Sequence, residues 1–161
     1  MLEGAVMEYA KWFIGVVSVM LISVAVIFMF RLNEVNSFQQ DVNYQIERHG
    51  GLTEEAKIVL NEKAKKLYGG CIVESLEDNA PCLFAADRAD DSVKSSGFFI
   101  REYRTEGGQD VYYDRGDEQA RYGTTIQYVL TRQIGNINGK SFFKPSVIGM
   151  SASRVRGDAS E

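Results

Sequence analysis

Apolar and polar positions are unevenly distributed along this chain. Residues 12–30 (Trp-Phe-Ile-Gly-Val-Val-Ser-Val-Met-Leu-Ile-Ser-Val-Ala-Val-Ile-Phe-Met-Phe) carry no charge over 19 positions, between Lys11 and Arg31. A bilayer core of about 30 Å is crossed by roughly 20 apolar residues in a helix, and a helix closes its own backbone hydrogen bonds there. Beyond Arg31 the apolar residues thin to Leu32, Val35, Phe38, Val42 and Ile46, at steps of three and four, with Glu34, Gln40, Asp41, Glu47 and Arg48 on other faces. That is an amphipathic helix stripe. Gly50 and Gly51 supply its stop. A helix over residues 6–49 is therefore expected, about 66 Å long at 1.5 Å per residue. A second helix follows, capped by Thr53 and opened by Glu54 and Glu55. Its stripe is Ala56, Val59, Leu60, Ala64 and Leu67, and Gly69 and Gly70 end it.

The period then changes to two. Residues 71–73 form a short strand candidate, and the acidic residues 74–96 read as a long loop. Residues 98–104 and 110–114 read as strands around the turn at residues 106–109. Residues 124–134 form the strongest strand, and Asn138-Gly139 is a hairpin signal leading into a return over residues 141–155, interrupted by Pro145. The fold class expected is α+β: a long N-terminal transmembrane and amphipathic helix, a short second helix, and a small antiparallel β-sheet of about four strands. The expected divisions are residues 1–11, 12–30, 31–70 and 71–161.

At 161 residues and a net charge of −4, the chain has one domain's worth of length and no basic footprint for nucleic acid. A cleaved secretory signal wants small residues where its apolar stretch ends. The exit here is Met29-Phe30-Arg31-Leu32-Asn33, and Ser23 and Ala25 lie inside the run. The segment is thus expected to stay as an anchor. Candidate chemistry is sparse. His49, the one histidine, stands beside glycines at a helix end, where a positive group suits the helix dipole. Cys71 and Cys82 have neither metal nor CxxC spacing; in an oxidising exterior they would close a loop around the acidic segment, and a Cys71–His49 nucleophile pair is the sharper alternative. Asp87, Asp90 and Asp91, and likewise Asp110, Asp114, Asp117 and Glu118, lack the spacing of a calcium loop. Arg115-Gly116-Asp117 and Arg156-Gly157-Asp158 spell an adhesion tripeptide that works only on an exposed loop. No phosphate loop or Ser/His/Asp set is present. No metal, cofactor or enzymatic activity is expected.

Ahead of the apolar run the chain reads Gly4-Ala5-Val6-Met7-Glu8-Tyr9-Ala10-Lys11. A glycine, a few small or apolar residues, then Glu-Tyr opening a membrane helix resembles the class III signal of type IV pilin-like proteins, closest to Flp pilins and TadE-like pseudopilins. The layout of membrane helix, amphipathic extension, Gly-Gly break and small sheet domain is similar as well. The resemblance implies cleavage by a prepilin peptidase between Gly4 and Ala5. It implies that Glu8 helps subunits register, and that the stripe of Leu32, Val35, Phe38, Val42 and Ile46 packs on the second helix or on neighbouring subunits. The expected partners are the membrane and other pilin-like subunits, in a secretion, adhesion or conjugation apparatus, with the C-terminal domain outside the cytoplasm. Three residues separate Gly4 from Glu8, where the Flp-type pattern has four, and residues 1–4 carry no basic residue. These departures define the alternative: an uncleaved single-pass anchor carrying a binding module or accessory subunit of a membrane complex.

Overall fold

The computed structural model describes residues 2–78, 80–84, 97–137 and 140–156. It has two compact units, residues 1–34 and 35–161. The first helix, α1, is Leu2–His49, so the first unit contains only its N-terminal part. There the side chains of residues 4–30 are exposed throughout. Ser18 and Ser23 donate their hydroxyls back to the carbonyls of Ile14 and Val19, at 2.8 and 2.9 Å, so neither polar side chain needs an outside partner.

In the second unit the periodic stripe finds its place. Val35, Phe38, Val42 and Ile46 are wholly buried, in one core with Leu60, Ala64, Ile72, Phe98, Tyr128 and Leu130. Phe38 lies 4.3 Å from the ring of Phe98 and 5.7 Å, edge-on, from that of Tyr68. The helix ends where Gly50 turns left-handed (φ 72°), and the N–H groups of Gly50 and Gly51 both close on the Ile46 carbonyl. The second helix, α2, is Glu54–Tyr68, with Thr53 accepting from the Ala56 N–H and Gly69 in the left-handed cap. Its buried line is Ala56, Leu60 and Ala64, a step-four row that Tyr68 continues, with Asn61 buried beside it. Leu67, expected on this stripe, is instead 65% exposed. Asn61 faces inward because its Oδ1 accepts the Ile72 N–H at 2.9 Å, tying α2 to the first strand.

The strands are β1 Ile72–Val73, β2 Phe98–Glu106, β3 Gln109–Tyr113, β4 Thr125–Arg132, β5 Ile134–Ile137, β6 Lys140–Phe143 and β7 Ser146–Ala152. The main sheet runs β1-β2-β4-β7, with β3 also pairing β2. β1 lies parallel to β2, pairing Ile72 with Phe98, so the sheet is mixed rather than purely antiparallel. The single strand expected over residues 124–134 is divided. Gln133 gives its N–H to the Gly97 carbonyl and Gly135 turns to φ 68°, which sends β5 into a separate two-stranded sheet with β6. Lys144 and Pro145 likewise separate β6 from β7. The Asn138-Gly139 turn and residues 85–96 of the expected acidic loop lie outside the described residues. On the inner face Tyr128 pairs with Gly149, where any Cβ would fall inside the tyrosine ring. The missing side chain lets Tyr128 reach Asn43 of α1, to which it donates at 2.6 Å. Burial pushes its hydroxyl pKa up to about 12.

Phe38→Ala should destabilise the second unit by about 3–5 kcal/mol, whereas Leu67→Ala should change it by under about 0.5 kcal/mol. Chemical denaturation of the full chain in detergent micelles, followed by tyrosine fluorescence, checks the contrast; similar losses from both would contradict this core.

Candidate functional site

The feature with the clearest physical demand is the N-terminal part of α1. Its apolar stretch is long and apolar enough to cross a membrane, and none of the span is buried within the chain. Contiguous apolar surface on soluble monomers rarely exceeds a few hundred Å². Nineteen charge-free residues exposed on every side of a helix exceed what water tolerates. Trp12 and Lys11 mark one boundary. At the other, Arg31 is paired with Glu34 at 3.1 Å. The 19 residues rise about 28 Å, close to a hydrocarbon core of about 30 Å.

Gly4, Ala5 and Glu8 all lie in the first turns of this helix and are exposed. A Cβ added at Gly4 would meet nothing within 4 Å. The bond between Gly4 and Ala5 is helical, so a protease that takes an extended strand must first unwind the terminal turn. Glycine lowers that barrier by about 1 kcal/mol relative to alanine. Glu8 precedes the apolar boundary at Trp12 by one turn and has no ion-pair partner among the described residues. Leu32 is partly buried. The remaining stripe residues, Val35, Phe38, Val42 and Ile46, have no exposed area, so their packing is within the chain and they offer no surface to a neighbouring subunit.

The cysteines are joined: Cys71 and Cys82 form a disulfide, with Cα atoms 5.9 Å apart. Its loop stabilises the fold by about 2.5–3 kcal/mol in the chain-entropy account. Bonded to Cys82, Cys71 has no thiolate to serve as a nucleophile beside His49. His49 instead places Nδ1 3.6 Å from Glu55. The closed loop covers only the start of the acidic segment and is held by residues in and beside β5 and β6. Lys144 bridges to Asp78 at 2.9 Å and donates to the Leu76 carbonyl at 2.8 Å, and Gln133 donates to the Glu77 carbonyl. The Lys144 bond, reinforced by the Ser141 N–H, holds the Asp78 carboxyl down at about 2.

The second acidic group is divided among separate contacts. Asp114 pairs with Lys57 at 2.8 Å, which lowers its pKa, and Glu118 accepts the Tyr113 hydroxyl, which raises that tyrosine's. Asp110 accepts from Thr105. Among the described residues no group of three or more His, Cys, Asp or Glu side chains could hold a metal ion. Asp87, Asp90, Asp91, Gly157 and Asp158 lie outside the described residues.

One buried polar pair escaped the sequence reading. Arg115 donates through Nε and Nη2 to the Glu102 carboxylate, at 2.9–3.1 Å, with both side chains nearly sealed from solvent. Glu102 also accepts the Leu52 N–H. Gly51, at φ 141°, lies against this pair so closely that a Cβ would collide with Arg115. The first adhesion-like tripeptide is therefore not displayed, because its arginine is internal. A signal did exist: Glu102 falls on the same strand face as Phe98 and Ile100, and a charge at an inward position demands a partner.

No family model matches the chain, and no solved structure matches it. An uncharacterized protein of Bacillus anthracis is 43% identical over 72 residues, which are 45% of this chain and 60% of that protein. The match thus spans less than two thirds of that relative's length.

Lys144→Ala should return the Asp78 pKa from about 2 toward its ordinary 3.8, read by carbon-detected NMR titration. A depressed carboxyl stabilises the fold above its unfolded pKa and stops doing so as pH falls through the folded value. The contact of Asp78 with Lys144 and Ser141 should therefore weaken between pH 3.8 and about 2, and the variant should lose that dependence. An Asp78 titration unchanged by the substitution would contradict the contact.

Proposed function

We propose that the chain is a non-enzymatic, membrane-anchored structural subunit of pilin-like type, a minor pilin or pseudopilin of a secretion, adhesion or conjugation apparatus. The observation that carries the reading is the division of labour along α1. Its first part exposes apolar side chains on all faces, and its later part buries a stripe in an α+β unit. A soluble enzyme has no use for the first, and a bare anchor has no need of the second. In this reading the chain spans the membrane once. The Cys71–Cys82 disulfide supports an extracytoplasmic C-terminal unit, since such bonds persist in oxidising compartments. A prepilin peptidase cleaves after Gly4, and the amine freed at Ala5 pairs with Glu8 of a neighbour. That pair offsets the cost of holding a carboxylate at the edge of the apolar layer. Because the stripe at residues 35, 38, 42 and 46 is consumed in the chain's own core, subunits would meet through residues 5–30.

Glu8→Ala tests the reading. A charge-assisted contact of about 1.5–3 kcal/mol is lost at each subunit junction, so assembly should fall by roughly 10- to 150-fold. Membrane-bound protein should stay at its normal level. Sedimentable high-mass assemblies from native host cells provide the measurement. Unchanged assembly in Glu8→Ala would instead favour the uncleaved anchor with an accessory role.

A further inference from the structure

Strand β7 is the outer strand of the main sheet, bonded to β4 on one side. The phase of that bonding is fixed at both ends. Arg132 donates to the Pro145 carbonyl and Ser153 to the Thr124 carbonyl, both in the β4–β7 register. Odd-numbered residues of β7 therefore bond to β4. Ser146, Ile148, Met150 and Ala152 turn their N–H and C=O groups outward. Among the described residues no strand lies on that side. Natural edges are blunted by charges, proline or bulges, yet the seven residues Ser-Val-Ile-Gly-Met-Ser-Ala contain no charge and no proline. The two central side chains of its outer face are large and apolar, Ile148 65% and Met150 63% exposed, and Ser146 at its start already shares a hydroxyl hydrogen bond with Thr131.

We propose that this edge takes a second copy of the same chain, β7 against β7 in antiparallel fashion, about a two-fold axis at Gly149. The segment is self-complementary in that register. Ile148 falls opposite the partner's Met150, and Ser146 opposite the partner's Ala152, so all seven residues overlap. The even-numbered residues form the hydrogen-bonded pairs, as their outward groups require. Gly149 meets the partner's Gly149 at the closely spaced non-bonded position, about 4.5 Å between Cα atoms, with no side chain to obstruct it. On the outer face the row Gln127–Met150 continues into the partner's Ile148 and the partner's Val129, giving each exposed apolar side chain an apolar neighbour. Beyond the strand ends Lys144 comes opposite the partner's Arg154. Each cation is already paired in its own chain, Lys144 with Asp78 and Arg154 with Glu47 at 3.1 Å, so the junction does not set bare like charges together. One strand edge buries less than the roughly 1,600 Å² of a standard interface, so the pairing is weak in dilute solution. Confinement that raises effective concentration strengthens it. This inference does not depend on cleavage at Gly4.

The experiment traps the register covalently. Ile148→Cys and Met150→Cys are made separately in the full chain, in detergent micelles, and oxidised alone and as an equal mixture. Both native cysteines are already joined, so neither contributes a free thiol. Opposed residues lie about 5.5 Å apart and diagonal ones about 7–8 Å, beyond what a disulfide spans without backbone movement. The mixture should give the mixed disulfide at least about tenfold faster than either variant gives its own dimer. If a variant misfolds, Ser146→Cys with Ala152→Cys tests the same register from the strand ends. Equal rates in all three samples would mean random encounter through α1. No cross-link at all would mean that the edge serves a different partner, and either result overturns the proposal.

Discussion

Phe38 sits where two helices and a sheet meet, and the second unit is organised around its burial. Its ring contacts Tyr68 at the end of α2 and Phe98 at the start of β2, and those two rings lie 5.8 Å apart. Arg132 covers the cluster with its guanidinium 4.8 Å from the Phe98 ring. Val35, Val42 and Ile46 extend the contact along the helix. A helix so seated must stop before it overruns the sheet, and Gly50 and Gly51 turn the chain there. The turn is tight enough that the Gly50 carbonyl accepts the Ala120 N–H at 2.8 Å.

Three of the polar side chains that this packing buries find partners from other segments of the fold. Asn61 meets the Ile72 amide, Tyr128 meets Asn43, and Glu102 meets both Arg115 and the Leu52 amide. A buried ion pair is weak evidence of net stability, because desolvation cancels much of the attraction. What the Glu102–Arg115 pair does supply is position. Its partners come from β2, from the turn after α1 and from the segment after β3, so these three segments agree on one register. Removing a single partner would leave a buried charge, typically a loss of about 3–5 kcal/mol.

Local patterns made the helices readable. Step-three and step-four spacing located the stripe of α1, and paired glycines located both helix ends. Thr53 and the acidic first turn located the start of α2. Strand order was not readable, because pairing depends on contacts distant in sequence. Nothing local in residues 71–73 says that β1 lies parallel to β2. Residues 124–134 carry a continuous strand pattern, yet the Gly97 carbonyl takes the Gln133 amide and divides them. Leu67 was misplaced because helix periodicity cannot tell adjacent faces apart near a C-terminus. The row Ala56, Leu60, Ala64 and Tyr68 leaves it about one residue too far round. At the candidate site the apolar length, Gly4 and Glu8 were all visible. That Val35, Phe38, Val42 and Ile46 pack internally was one of two options that the pattern left open.

Two demands therefore meet in one helix: apolar surroundings for its first part, and a folded core for its later part. The proposed pilin-like role answers both, and it makes a definite statement about the first residues of the mature protein. The most direct measurement is the intact mass and N-terminal sequence of the protein taken from native membranes. The account predicts a chain that begins at Ala5 with Gly4 removed. A chain that begins at Met1 or Leu2 would contradict prepilin-type processing.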